Sequence, residues 1–329
     1  MLLILQFPRQ SDASMVSLLY LRLMTLVYVL EATERYSLHL LQTRILIAYY
    51  EFGHGMMAAA AASVAGCAKV AGFLGLSPRS VVADDLIVTE ERRRAWWALH
   101  NLDRHMALAC GDFMFTIPDP YQSDDFPCND RDWFAGTVGP TARVGTASDA
   151  KFGQFARECQ IHHLVTRVVR HIYEPAADEV FQLEEAVQLE RTLLHFLPLL
   201  ERTDLTYGRA LFLFYSRLTS GRGPIPPDRL AAMEPVAVTI YNYAGRCYTS
   251  EGDFDYDTLS PYIMLSIYQA AVVYVHLQRL SDEQKYAGGL ERLQIVLKNF
   301  SRRWAAATTY INLLESPAPD LLPDWRRIE

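Results

Sequence analysis

Cysteine is scarce in this 329-residue chain, and it is scattered. The five, Cys67, Cys110, Cys128, Cys159 and Cys247, form no C-x-x-C pair. That excludes a disulfide framework and a zinc cluster, and it suits a reducing compartment with buried free thiols. Neither G-x-G-x-x-G nor G-x-x-x-x-G-K-[ST] occurs, so nucleotide binding has no motif, and no cofactor is expected. A basic face is also missing. The net charge of −7 argues against a free-standing nucleic-acid binder. Long apolar runs are absent too. The most apolar one, Ser17–Leu30, holds Arg22 near its middle and is too short to span a bilayer. The N-terminal MLLILQFPRQ lacks a basic region and is broken by Pro8, so it makes a poor secretory signal. The chain shows no strand alternation and no internal repeat.

Helical spacing fills most of what remains. Leu38, Leu41, Ile45, Ala48 and Phe52 form one apolar stripe. An alanine-rich helix is expected over His54–Leu76, stopped by Gly75 and Ser77-Pro78. Thr89 reads as the N-cap of the next helix, with Glu90 and Glu91 in its first turn and Gly111 past its end. Residues 112–150, rich in aspartate and proline, read as a long ordered loop anchored by Phe126, Trp133 and Phe134. Further helices are expected over Phe152–Tyr173, Gln182–Leu200, Tyr207–Leu218, Leu230–Tyr248 and Leu259–Leu280. Another, Asp282–Leu314, is expected to break near Ser301. The expected class is all-α, one large domain of roughly ten helices. It comprises an N-terminal helical segment (1–36), the main body (37–315) and an extended tail (316–329).

The stretch RRRAWWALHNLDRHMALACGDF (92–113) is the least ordinary. Trp96, His100, Asp103 and Ala107 share one helical face. An inward Asp103 needs a cation or several donors, and Arg104 or the Arg92–Arg94 run is the obvious supplier. Glu90 and Arg94 suit an i,i+4 pair on a solvated helix start.

Three stretches together carry a resemblance: LLQTRILIAYYEFGHGMMAAAAASVAGCAKVAGFLGL, TEERRRAWWALHNLDRHMALACGDFMFTIPD and FPCNDRDW. They resemble the fungal-specific transcription factor domain, the middle homology region of zinc-cluster regulators. Glu91, Arg93, Arg94, Trp96, Trp97, Asp103, Arg104 and Gly111 match its E-x-R-R-x-W-W…D-R…G pattern, and the match covers about residues 37–135. The resemblance implies a nuclear regulatory domain, of a secondary-metabolite pathway regulator, sensing a small metabolite or holding a protein partner or second copy. The six-cysteine DNA-reading module of that family has no counterpart among five scattered cysteines, so DNA is expected only through a partner. The chain is then a truncated regulator or a free-standing copy of the domain.

A second class stays open: a cytoplasmic, cofactor-free cyclase, pericyclase or isomerase acting on an apolar natural product. Such an enzyme needs shape and one acid or donor. Its candidate residues are Glu51, His54, Asp103, His105 and Asp112. Glu158 and His162 have i,i+4 metal spacing but lack a second ligand pair, so no metal is expected. The aspartates at 119, 124, 125, 130 and 132 suit a cation or, as such runs commonly do, solvated turns. The tyrosines at 241, 243, 248, 256, 262, 268 and 274, with Phe254, suit core packing or the lining of an apolar cavity.

Overall fold

The structure is a computed structural model that describes residues 2–8, 15–79, 85–110, 114–145, 153–174, 176–196, 225–247, 260–281, 284–316 and 319–322. Among these residues lie eleven helices and no strand, with an isolated bridge between Asp125 and Arg143. The helices are α1 (Leu18–Ala32), α2 (Leu38–Gly53), α3 (Met57–Phe73), α4 (Leu86–Cys110), α5 (Asp130–Phe134) and α6 (Gln154–Tyr173). They continue as α7 (Glu179–Phe196), α8 (Pro227–Cys247), α9 (Tyr262–Leu280), α10 (Gln284–Phe300) and α11 (Ala306–Leu314). The chain is therefore all-α, as its spacing predicts. Among the described residues no helix is long and apolar enough to cross a membrane.

Local chemistry sets most boundaries. Ser17 and Ser37 cap α1 and α2, each hydroxyl accepting a backbone N–H three residues on. Gly75, at φ 58°, takes the left-handed turn that ends the alanine-rich helix. Two details depart from expectation. The long helix starts at Leu86 rather than after Thr89, because the Asp85 carboxylate accepts from the Val88 N–H at 2.9 Å. Thr89 is instead buried inside it. The acidic loop contains a short helix, α5, capped by the Asn129 side chain. The expected helix at Tyr207–Leu218 lies outside the described residues, as do Gly111 and Asp112.

Two groups of helices share one core. In the first, α2 packs on α3 and α4, α3 on α4, α4 on α6 and α6 on α7. In the second, α9 packs on α8, α10 and α11. Tyr262 and Trp304 from the second group meet Tyr49 from the first. A smaller cluster holds α1 against α2 through Tyr20, Val27, Ile47 and Tyr50.

The two ends of the chain are fastened by side chains of the second group. Buried Arg303 donates to the carbonyls of Ile4 and Gln6 and stacks on Phe7 and Trp304. On α9, Tyr268, Gln269 and His276 donate to the carbonyls of Asp320, Leu321 and Pro319.

Adjacent glycines in α10 give a test of this packing. A Cβ on Gly288 meets open space, whereas one on Gly289 runs into the Tyr274 ring. Gly288→Ala should stabilise the protein by about 0.5–1 kcal/mol, since alanine loses less backbone freedom in a helix. Gly289→Ala should destabilise it by about 1–3 kcal/mol through overpacking. Thermal melts of the two variants should move in opposite directions.

Candidate functional site

The charged residues of α4 are mostly buried, and each has a destination. Glu90 is fully buried. Its carboxylate accepts from Arg93 at 2.6 Å, Arg94 at 3.0 Å and the Cys128 N–H at 2.9 Å. Arg94 continues to Asp130 and the Cys128 carbonyl, and lies over Trp133 and Phe155. Asp130 in turn accepts from the Phe155 N–H at the start of α6. The expectation of a solvated Glu90–Arg94 helix start is thus corrected. The pair forms, but inside the protein, because loop 114–145 folds over it. Glu91 accepts from Gln42 of α2, and Arg92 donates to the Leu74 carbonyl.

Further along α4, the Asp103 carboxylate accepts from Arg104 at 2.7 Å and from the backbone N–H groups of Thr116 and Ile117. Arg104, buried like Asp103, also reaches Asp119, the Ile117 carbonyl and the Thr166 hydroxyl of α6. Trp97 donates to the Asp125 carbonyl at 3.0 Å, and its ring packs on Trp96 and Phe126. Several loop aspartates are therefore not simple solvated turns: Asp119 takes Arg104 and Arg170, Asp124 takes Arg79, and Asp130 takes Arg94.

A second feature is a continuous run of ring contacts through the junction of the two helix groups. It passes from Tyr20 to Tyr50, His54, Trp304, Tyr49, Tyr262, His105 and His162. Tyr262 lies over the His105 ring with centroids 3.5 Å apart. His162 Nδ1 is 2.7 Å from the Glu158 carbonyl, which only accepts, so that nitrogen carries a hydrogen. His162 Nε2 lies 2.7 Å from His105 Nδ1, which itself faces the Asn101 carbonyl at 3.0 Å. The Asn101 carbonyl and His162 Nε2 therefore share whatever hydrogen His105 Nδ1 carries.

The residues proposed for catalysis fall at separate places along these two features. Glu51 is fully buried and accepts from the Tyr20 hydroxyl at 2.7 Å. Burial pushes its carboxyl upward, against the Ser63 and Tyr20 hydroxyls and Arg44. His54 accepts the Ala305 N–H on Nδ1 at 3.3 Å, which leaves its hydrogen on Nε2. Burial and the nearby Arg303 push it down to about 3. His105 stands between Tyr262 and His162 in the ring run, and Asp103 belongs to the loop-fastening network.

Residues whose place spacing did not give include Tyr262, as a partner of His105, and Trp304; His100 stands on the helical face already shared with Trp96. His100 is fully buried between Trp96 and Trp97, and neither ring nitrogen has a hydrogen-bond partner. Burial, Arg104 and His162 push it far below its ordinary value. The i,i+4 pair Glu158–His162 is used as a backbone hydrogen bond, and no metal-ligating group of three or more occurs among the described residues. Tyr268 and Tyr274 are buried in the core, and Tyr248, Tyr256 and Phe254 lie outside the described residues.

No family model, curated protein or solved structure matches this chain.

Two outcomes follow from the geometry. His54 is neutral in the fold but binds a proton near pH 6.5 when unfolded, so the unfolded chain holds more protons between pH 6.5 and about 3. Stability should fall as pH drops through that window, by about 2 kcal/mol at pH 5 from this residue alone. His100 acts in the same direction. Urea midpoints at pH 7 and pH 5 should differ less in His54→Phe than in the parent. Asp103→Ala removes the acceptor for two loop N–H groups and one guanidinium, and should cost about 3–5 kcal/mol. Limited proteolysis should then cut first near Thr116.

Proposed function

We propose that this chain is a regulatory helical domain of the fungal zinc-cluster regulator type. It responds to a small metabolite or a protein partner and reaches DNA only through another protein. One observation carries the reading. Arg93, Arg94, Trp97, Asp103 and Arg104, which carry the resemblance, all bind loop 114–145 to α4, Arg93 through its ion pair with Asp125. Their role in this chain is to build a frame, which is what a shared pattern between regulators of differing ligands needs. Glu51, His54 and Asp103 support the same reading, since each is engaged by different partners rather than aimed at one point.

A cofactor-free cyclase or isomerase is the competing reading. It is favoured by the His105–His162 pair beneath Tyr262, whose ring nitrogens lie 2.7 Å apart, within reach for passing a proton without a metal.

Deleting the coding gene in its host separates the two. The regulatory reading expects a set of transcripts to fall together, and a copy carrying His105→Gln to restore them. Steady transcripts with one accumulating intermediate would overturn it in favour of the enzyme, with that intermediate as substrate.

A further inference from the structure

Residues 319–322 lie against α9 as a peptide lies in a groove. Pro319 and Leu321 are buried while Asp320 between them is exposed, the alternation of an extended chain. Three consecutive carbonyls are taken by side chains of α9. His276 donates to that of Pro319 at 3.2 Å, the Tyr268 hydroxyl to that of Asp320 at 2.7 Å, and Gln269 Nε2 to that of Leu321 at 3.2 Å. Tyr268 is itself packed on Tyr310 of α11. All three bonds go to backbone, so the groove reads the direction and spacing of a chain. A proline and a leucine two places apart supply the rest, which is how extended peptides are commonly recognised.

One atom of the groove is left over. Gln269 is 1% exposed, its Nε2 is spent on the Leu321 carbonyl, and its Oε1 is buried with no hydrogen-bond partner among the described residues. A side-chain amide can take a peptide carbonyl on one arm and a peptide N–H on the other. The chain's own segment fills the first arm only, and a buried acceptor without a donor weakens the contact as a whole.

We propose that the α9 groove is a docking site for an extended segment of a partner protein with proline and leucine two positions apart. Residues 319–322 are the strap that occupies it in cis until such a segment displaces them. The strap defines the chemistry of the incoming segment, since it shows which carbonyls and which apolar side chains the groove accepts. It is also an imperfect occupant. Pro319 follows the last residue of α11 by five positions, so its register is set by a covalent connection. A free segment has no such tie and can settle with its leucine N–H on Gln269 Oε1. Displacement strands no charge, because the three bonds are uncharged, unlike those that hold loop 114–145. The proposal rests on α9 and the strap alone, and failure of the regulatory reading leaves it standing.

The test is binding of a fluorescein-labelled peptide SPAPDLLPDW, the sequence of residues 316–325, to the full chain, read by anisotropy. Leu321→Asp frees the groove, and that chain should bind the peptide with a Kd of about 10–100 µM. The unaltered chain should bind at least about tenfold more weakly, because its own strap competes at an effective concentration of ~1 mM. Leu321→Ala, a milder change, should fall between the two, and it decides the matter if circular dichroism shows the Leu321→Asp chain unfolded. Adding Tyr268→Phe removes one donor and should weaken the peptide about three- to tenfold. Methylating the backbone nitrogen of the peptide's leucine at the Leu321 place should weaken it similarly, because Gln269 Oε1 then loses its donor. A folded Leu321→Ala chain that ignores the peptide overturns the proposal. So does equal binding by the unaltered chain, or an affinity indifferent to Tyr268→Phe or to the methyl group, since the peptide is then held elsewhere.

Discussion

The burial of charge along α4 is the constraint to which the rest of the fold answers. A helix that carries Glu90, Arg93, Asp103 and Arg104 out of water has to supply every one of them with an opposite charge or a backbone partner. The partners come from loop 114–145 and from α6. That is why a segment without regular spacing runs over the core instead of into solvent. Replacing such pairs by apolar residues is often neutral or stabilising, so their merit lies less in stability than in uniqueness. A guanidinium that must meet Asp103, Asp119, Thr166 and a carbonyl at once admits one loop path. Register is fixed by geometry that apolar packing leaves loose.

The junction of the two helix groups is fixed differently, by rings. Trp304 packs so close to α2 that a Cβ on Gly53 would enter its ring. It holds His54 on one side and Tyr49 on the other. His54 and His100 act here as polar-edged aromatics rather than as charges. His54 and His100 are kept so by burial. The paired His105 and His162 are joined ring nitrogen to ring nitrogen at 2.7 Å. The cost appears as sensitivity to acid, because each buried neutral imidazole is a proton-binding site in the unfolded chain.

Much of the helical frame was legible in spacing, because amphipathic helices write their buried face every three or four residues. The break near Ser301 and the end at Gly75 came from residues with clear backbone preferences. Boundaries failed where a side chain outside the pattern acted as cap, as Asp85 does for α4. The candidate site was less legible. Asp103 facing Arg104 followed from a polar residue on an apolar face. His105 facing His162 and Tyr262 did not, because those residues are brought together across 57 and 157 positions by packing alone. The acidic loop misled for a related reason: a run of aspartates looks solvated until the arginines that it serves are placed beside it.

Where this molecule can respond to anything is bounded by the same facts. The loop and α4 are locked by interlinked ion pairs, and movement there would expose several charges at once. The ring run has rings on both sides of nearly every member. The features held more lightly are at the margins: the α1 outer face, and the tail residues 319–322, which three uncharged hydrogen bonds fasten to α9. A change at either margin therefore leaves the buried ion pairs of α4 in place.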